Sequence, residues 1–169
     1  MTSREVHTAS LVSVTPDAEK QIVYMARVSN PSNQANEKTA PKLIKYLIKH
    51  KHWSPFEMAT IQVEINTTRA VAAQILRHRS ASFQEFSQRY SSVADLPTFG
   101  LPHLRTQDLK NKQASHDNLD PDLRELLERN IWRHYVEAMD LYQQLLAAGV
   151  AKECARSVLP LGTPTRLYM

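Results

Sequence analysis

The hydrophobic positions along this chain change period several times, and each change predicts an element. Leu11, Val12 and Val14 form a β-prone opening segment. Thr15-Pro16-Asp17 then predicts a helix start, with a capping hydroxyl, proline in the first turn and an acid near the positive dipole end. That helix is expected to run to about Val28, and a polar loop from Asn30 to Glu37 follows it. From about Thr39 to His50 the helical period returns. Leu43, Ile44, Leu47 and Ile48 are read as facing inward, with Lys42, Lys45 and Lys49 facing water. Ile61, Val63 and Ile65 alternate with Gln62, Glu64 and Asn66, the period of a strand with one wet face. Thr68 caps a short helix through Val71, Ile75 and Leu76, which delivers Arg77-His78-Arg79 at its end.

The second half is organised around one long helix. Pro97 to Asn118 is polar and irregular, and reads as a mobile surface excursion. Asp120-Pro121-Asp122 opens a helix over about 121–148. Its apolar stripe passes through Leu123, Leu126, Leu127, Ile131, Tyr135, Ala138, Tyr142, Leu145 and Leu146 until Gly149 stops it. A last short helix, about Ala151 to Leu159, ends before Pro160. Helices mixed with at least two strands predict an α+β class: a single domain, residues 1–169, with a small β-sheet flanked by helices.

Composition narrows the function classes. With 169 residues the chain can bury one core, and only three glycines speak against a linker or repeat array. Met1 to Ser10 lacks the basic and apolar regions of a signal peptide, and no apolar run reaches the roughly 18 residues of a membrane span. A single cysteine excludes an internal disulfide framework and fits a reducing cytoplasm. Cys154 lies four residues from both Val150 and Val158, so it reads as a small hydrophobe on an apolar stripe and not as a nucleophile. The net charge of +4 allows an anionic ligand. A basic nucleic-acid-binding module would spread its cations along one face, and here they concentrate beside a glutamate.

That concentration is the chemistry of the chain. Residues Arg77 to Tyr90 hold three arginines, a histidine, three serines and a glutamate around two phenylalanines, which is too polar for a core helix. Guanidinium forks clamp phosphate, hydroxyls complete its shell, and aromatic faces cover a planar ring. Each piece has an ordinary explanation as well. Cations at Arg77 and Arg79 are favoured at any helix C-terminus, and Glu85 with Arg89 has the spacing of a surface helical ion pair. His52 and Glu57 flank Trp53-Ser54-Pro55-Phe56, which reads as a turn with a packed aromatic.

The segment Arg77 to Ser87 resembles the arginine-histidine-arginine, seven residues, serine motif of flavin-dependent thymidylate synthases. Ala26-Arg27-Val28-Ser29, Lys49 to Glu57, Ala73-Gln74 and Glu153 to Pro160 resemble further blocks of that family in family order. Gln84 departs from the family's usual asparagine but keeps an amide. The resemblance implies methylation of deoxyuridine monophosphate to thymidine monophosphate. Methylenetetrahydrofolate would give the carbon and NADPH-reduced FAD the hydride, in a cytoplasmic homotetramer with no metal, membrane or nucleic acid. It implies cofactor contacts from Ser54, Arg77, His78, Arg79, Ser80 and Glu85, with His52 and Glu57 at the flavin or folate face. For the nucleotide it implies Gln74, Ile75, Leu76, Arg77, Glu85, Phe86, Ser87, Gln88 and Arg89, joined by Arg156 at a site held mainly by another subunit. Ser87 and Arg89 would meet the phosphate. The family pattern continues past Met169 into a helical segment whose arginine polarises the uracil. The expectation is therefore of a chain short of its catalytic group, active only with a further segment, or else a nucleotide-binding remnant. Thr165, Leu167 and Tyr168 read as the start of an element with no closing turn, and Leu167, Tyr168 and Met169 as an apolar tail that leaves core surface uncovered.

Overall fold

The computed structural model describes residues 7–96 and 100–169; the extreme start of the chain and the beginning of the Pro97 to Asn118 stretch lie outside the described residues. In chain order the elements are β1 (Thr8–Val14), α1 (Ala18–Ala26), α2 (Ala40–Lys49), β2 (Ile61–Thr68), α3 (Arg69–Ile75), β3 (Gln84–Glu85), β4 (Thr106–Gln107), β5 (Ser115–His116), α4 (Pro121–Ala147), α5 (Lys152–Ala155) and β6 (Pro164–Tyr168). The α+β expectation holds, with α4 as its long helix. Strand order in the main sheet is β1-β2-β6-β3, and β4 and β5 form a separate hairpin. By contacts the chain divides into a smaller unit, Ser10–Glu64, and a larger unit made of the rest.

In the smaller unit the ends of β1 and β2 form a ribbon in which Ser13 donates to Gln62 at 3.0 Å. Thr15 does not cap α1 as its sequence suggests. Its hydroxyl takes the Thr60 amide at 2.9 Å, because the ribbon captures it first. The residue before α1 is instead Asp17, in the left-handed region at φ 48° and with no side-chain cap. Gln21 ties the turn by donating to the Pro16 carbonyl at 2.8 Å. Of the inward residues expected on α2, Leu47 is buried and Leu43 and Ile44 are half-buried, but Ile48 stays 48% exposed. The α1 helix stops at Ala26, short of Val28.

In the larger unit Val93, Tyr142 and Ala155 form a buried cluster, with Met139, Leu145, Leu146, Val150, Val158 and Leu159 packed on it. Asp120 caps α4 through the Leu123 amide at 3.0 Å, and Gly149 ends it at φ 81°. The stripe of α4 is buried only towards its C-terminal half. Leu123, Leu126 and Leu127 are 44%, 47% and 38% exposed. No helix among the described residues is long and apolar enough to cross a membrane.

The last strand corrects the sequence reading. Thr165, Leu167 and Tyr168 do not begin an uncovered element: β6 is an inner strand, between β2 and β3. Leu167 is fully buried, Thr165 is 1% exposed, and only Tyr168 and Met169 keep substantial exposure. The stretch read as wholly irregular also contains structure. Within the β4–β5 hairpin, Asp108 accepts the amides of Lys110 at 2.8 Å and Asn111 at 2.6 Å and meets His116 at 2.6 Å. Those bonds, the Asn111 amide first, hold the Asp108 carboxyl below its ordinary value. Next to it Asp117 meets Arg124 at 2.5 Å and His103 at 3.1 Å, and the Arg124 hydrogen bond leads in lowering it too.

Candidate active site

The β2–α3 junction starts the site. Thr68 accepts the Val71 amide at 3.4 Å, the capping role its sequence predicts. The amides of Arg69 and Ala70, which a helix N-terminus leaves without partners, go to the carbonyls of Thr163 at 2.9 Å and Leu161 at 3.0 Å. The loop before β6 therefore fixes α3, and with it the side chain of Arg69.

Register does the same for Glu85. In the β3–β6 pair Glu85 lies opposite Leu167, and the next amide, Phe86, donates to the Arg166 carbonyl at 2.8 Å. The half-buried Glu85 carboxylate takes Arg69 Nη1 at 2.5 Å and Thr165 Oγ1 at 3.0 Å, both on Oε1. Its Oε2 accepts nothing among the described residues. Glu85 and Arg89 do not form the helical ion pair their spacing suggests. Glu85 is in a strand, where residues four apart do not stack as they do on a helix. Arg89 turns instead to Glu153, with Nε at 3.0 Å and Nη2 at 2.8 Å from Oε2.

Between these pairs lies Gln88. It is 6% exposed, and its Nε2 has no hydrogen-bond partner among the described residues. A buried amide left unpaired costs about 1–3 kcal/mol, so such groups call for an explanation. Gln88 lines a cavity of about 380 Å³ together with Arg69, Glu153, Arg156, Ser157 and the 159–161 turn. Arg156 Nε donates to the Glu153 carbonyl at 3.3 Å, and Lys152 Nζ to the Tyr90 carbonyl at 2.8 Å. The cavity thus combines two arginines, the Gln88 amide, an acid, a serine and apolar residues, a mixture that suits a polar planar ligand.

Other expected residues lie on α3 and the turn after it. Gln74 is exposed, Ile75 half-buried and Leu76 39% exposed. The amides of Arg77 and His78 close the helix on the carbonyls of Gln74 and Ile75, both at 3.1 Å. The side chains of Arg77, His78, Arg79 and Ser80 are exposed and make no hydrogen bond or ion pair among the described residues. Ser87 is exposed too, and its carbonyl takes the amides of Tyr90 and Ser91, each at 3.0 Å. In the smaller unit Ser54 begins a single 3-10 turn, Ser54–Met58, and His52, Ser54 and Glu57 are all exposed. The Trp53 and Phe56 rings pack there with centroids 6.0 Å apart.

Cys154 does not fill the core. It is exposed, and Ala155 occupies the buried position beside it. The helical spacing through Val150 and Val158 fails because α5 lasts one turn before giving way to a 3-10 turn, Arg156–Val158. Sequence reasoning missed Arg69, Glu153 and Thr165, which hold the expected residues in place. Nothing local marked them for these contacts: Arg69 opens a helix, Glu153 sits in a one-turn helix within a family block, and Thr165 lies in a strand. Among the described residues, no group of three or more His, Cys, Asp or Glu could hold a metal ion.

The model of the thymidylate synthase complementing protein family matches residues 10–169. The chain belongs to the flavin-dependent thymidylate synthase family. A probable flavin-dependent thymidylate synthase of Paramecium bursaria Chlorella virus 1 is 51% identical over 170 residues, covering 96% of this chain and 77% of that protein. The flavin-dependent thymidylate synthase of Synechocystis is 48% identical over 151 residues, covering 89% and 68%. Among solved structures, a UMP/dUMP methylase from Streptomyces cacaoi, bound with 5-Br dUMP, superposes with a TM-score of 0.82 at 30% identity. It is covered over 73% of its length by 99% of this chain. This flavin-dependent thymidylate synthase homologue is thus a methyltransferase by family.

Proposed function

We propose that this chain methylates deoxyuridine monophosphate at uracil C5, giving thymidine monophosphate, with methylenetetrahydrofolate as carbon donor. FAD, reduced by NADPH, supplies when bound the hydride that completes the methyl group, while C5 gives up its proton and tetrahydrofolate leaves. The observation that supports the nucleotide reading is the cavity lined by Gln88, Arg69 and Arg156, where Gln88 keeps a buried amide with no partner among the described residues.

In this reading Gln88 donates to the nucleotide, Arg89 and Ser87 meet its phosphate, and Arg156 adds charge at the rim. Glu85 offers the free Oε2 while Arg69 and Thr165 hold Oε1. Gln74, Ile75, Leu76 and Phe86 complete the nucleotide contacts. Arg77, His78, Arg79 and Ser80 fit the cofactor's phosphates, being two exposed guanidinium groups, an imidazole and a hydroxyl with no partner to displace among the described residues. Ser54 is assigned to the same cofactor, as are His52 and Glu57 to its face or to the folate. Exposed Cys154 takes no covalent part. The exposed Leu123, Leu126 and Leu127 support burial between copies in a homotetramer. Preorganised placement of two planar partners is then the main task of the protein.

The experiment is release of tritium from C5-labelled deoxyuridine monophosphate, with NADPH, FAD and methylenetetrahydrofolate each left out in turn. The reading expects flavin absorbance in the purified protein, and release that needs NADPH and methylenetetrahydrofolate and, once the bound flavin has been stripped, added FAD. Replacing Arg79 by alanine should lose that absorbance while Lys45→Ala keeps it. Equal retention in both variants would remove Arg79 from the cofactor site.

A further inference from the structure

The Ala26-Arg27-Val28-Ser29 block closes α1 in the smaller unit, and its arginine is in an unusual position. Arg27 is only 7% exposed. Its Nη1 donates to the Asn36 carbonyl and its Nη2 to Thr39 Oγ1 at 2.7 Å. Neither acceptor carries a charge. The acid that follows Asn36, Glu37, pairs with Lys20 at 3.3 Å. Among the described residues Arg27 therefore has no carboxylate, and a buried cation with only neutral acceptors is costly to keep.

Arg27 also lines a cavity of about 450 Å³. Ser29, Thr39 and Lys42 lie on its wall, so a second cation and two hydroxyls join the unmatched arginine. Thr39 is also the residue before the ten-residue helix α2, whose positive end adds to the field there. Leu43 and Tyr46 also line it. We propose that this cavity binds the phosphate group of a small-molecule ligand. Two cations match a dianion better than a single carboxylate, and hydroxyls with the remaining N–H donors of the fork can surround its several oxygens. The alternative is that Arg27 only straps the 36–39 loop to the end of α1, which needs neither Lys42 nor any ligand.

The test is an amide-resolved NMR titration of the full chain with inorganic phosphate and, separately, glutarate. The inference expects saturable phosphate-induced shifts at Ser29, Thr39 and Lys42, with glutarate at least about tenfold weaker. Lys42→Glu, an exposed substitution that leaves the strap intact, should weaken phosphate there by about tenfold or more. Arg89→Ala, which alters the proposed nucleotide site, should leave these shifts unchanged, so the two assignments fail separately. Shifts confined to residues 87–89, or Lys42→Glu without effect on the shifts near Arg27, would overturn the phosphate site. Glutarate binding as tightly as phosphate would overturn it as well.

Discussion

Arg69 reaches Glu85 at 2.5 Å across sixteen residues of sequence, and it does so from the first position of a helix onto a two-residue strand. Both elements are held by β6: α3 through the carbonyls of the loop before that strand, and β3 through its ladder. The pair is only partly exposed, at 34% and 17% for the two side chains, so losing the cation leaves a carboxylate with little water. Arg69→Met should destabilise the protein by about 1–3 kcal/mol, the cost of a charge left without its partner. Chemical denaturation measures it. Arg69→Lys should recover part of the loss, and an unchanged midpoint in both variants would mean the pair carries no stability.

Tyr142 offers a cleaner stability test. The ring is fully buried and its hydroxyl has no hydrogen-bond partner among the described residues. Tyr142→Phe removes the unpaired oxygen and keeps the packing, so it should leave stability unchanged or raise it by up to about 1 kcal/mol. Tyr142→Ala should cost about 3–5 kcal/mol through the cavity it opens between α4 and α5. A loss on Tyr142→Phe would reveal a partner for that hydroxyl.

The hairpin carboxylates set a pH dependence. Asp108 and Asp117 both have folded values below the ordinary 3.8, through hydrogen bonds led by the Asn111 amide and by Arg124 respectively. A depressed carboxylate contributes stability that is present above its unfolded value and is lost as pH falls through the folded one. The β4–β5 hairpin should therefore stay closed at pH 5 and open only below about pH 4. Hydrogen exchange at the Lys110 and Asn111 amides follows this. Opening that begins above about pH 5 would show that another group controls the hairpin.

For the nucleotide phosphate the arginine to change is Arg89. A charge-assisted, often bidentate contact contributes on the order of 1.5–3 kcal/mol, so Arg89→Ala should weaken deoxyuridine monophosphate by about tenfold or more. Unphosphorylated deoxyuridine should lose much less. Calorimetric titration with both ligands decides it, and equal losses would make the Arg89–Glu153 pair purely structural.

The sequence carried the elements whose signals are local. The Thr68 cap, the Asp120 cap, Gly149 at the end of α4 and the polar run at Arg77 all depend on neighbours within a few residues. What it misread depends on distant partners. Thr15 looks like a cap until Thr60 takes its hydroxyl, and Glu85 with Arg89 looks like a helical pair until β6 makes the segment a strand. Cys154 looks buried only if one helix runs unbroken from Val150 to Val158, and it does not. The family motif supplied the expected residues, but not the contacts by which Arg69 and Thr165 hold Glu85 and Glu153 holds Arg89. Those contacts close over 16, 80 and 64 residues of chain, beyond the reach of any local pattern.

Gln88 decides whether the cavity beside Arg69 and Arg156 is where the nucleotide sits. A buried amide with no partner should cost the free protein stability and be useful only when a ligand accepts from it. The direct measurement pairs thermal melting with calorimetric titration of deoxyuridine monophosphate, for the parent protein and for Gln88→Leu, which keeps the volume and removes the amide. The account predicts an equal or higher melting temperature for the variant, together with nucleotide affinity reduced by about tenfold or more. Undiminished affinity in a folded Gln88→Leu protein would contradict it, and would place the nucleotide somewhere other than this cavity.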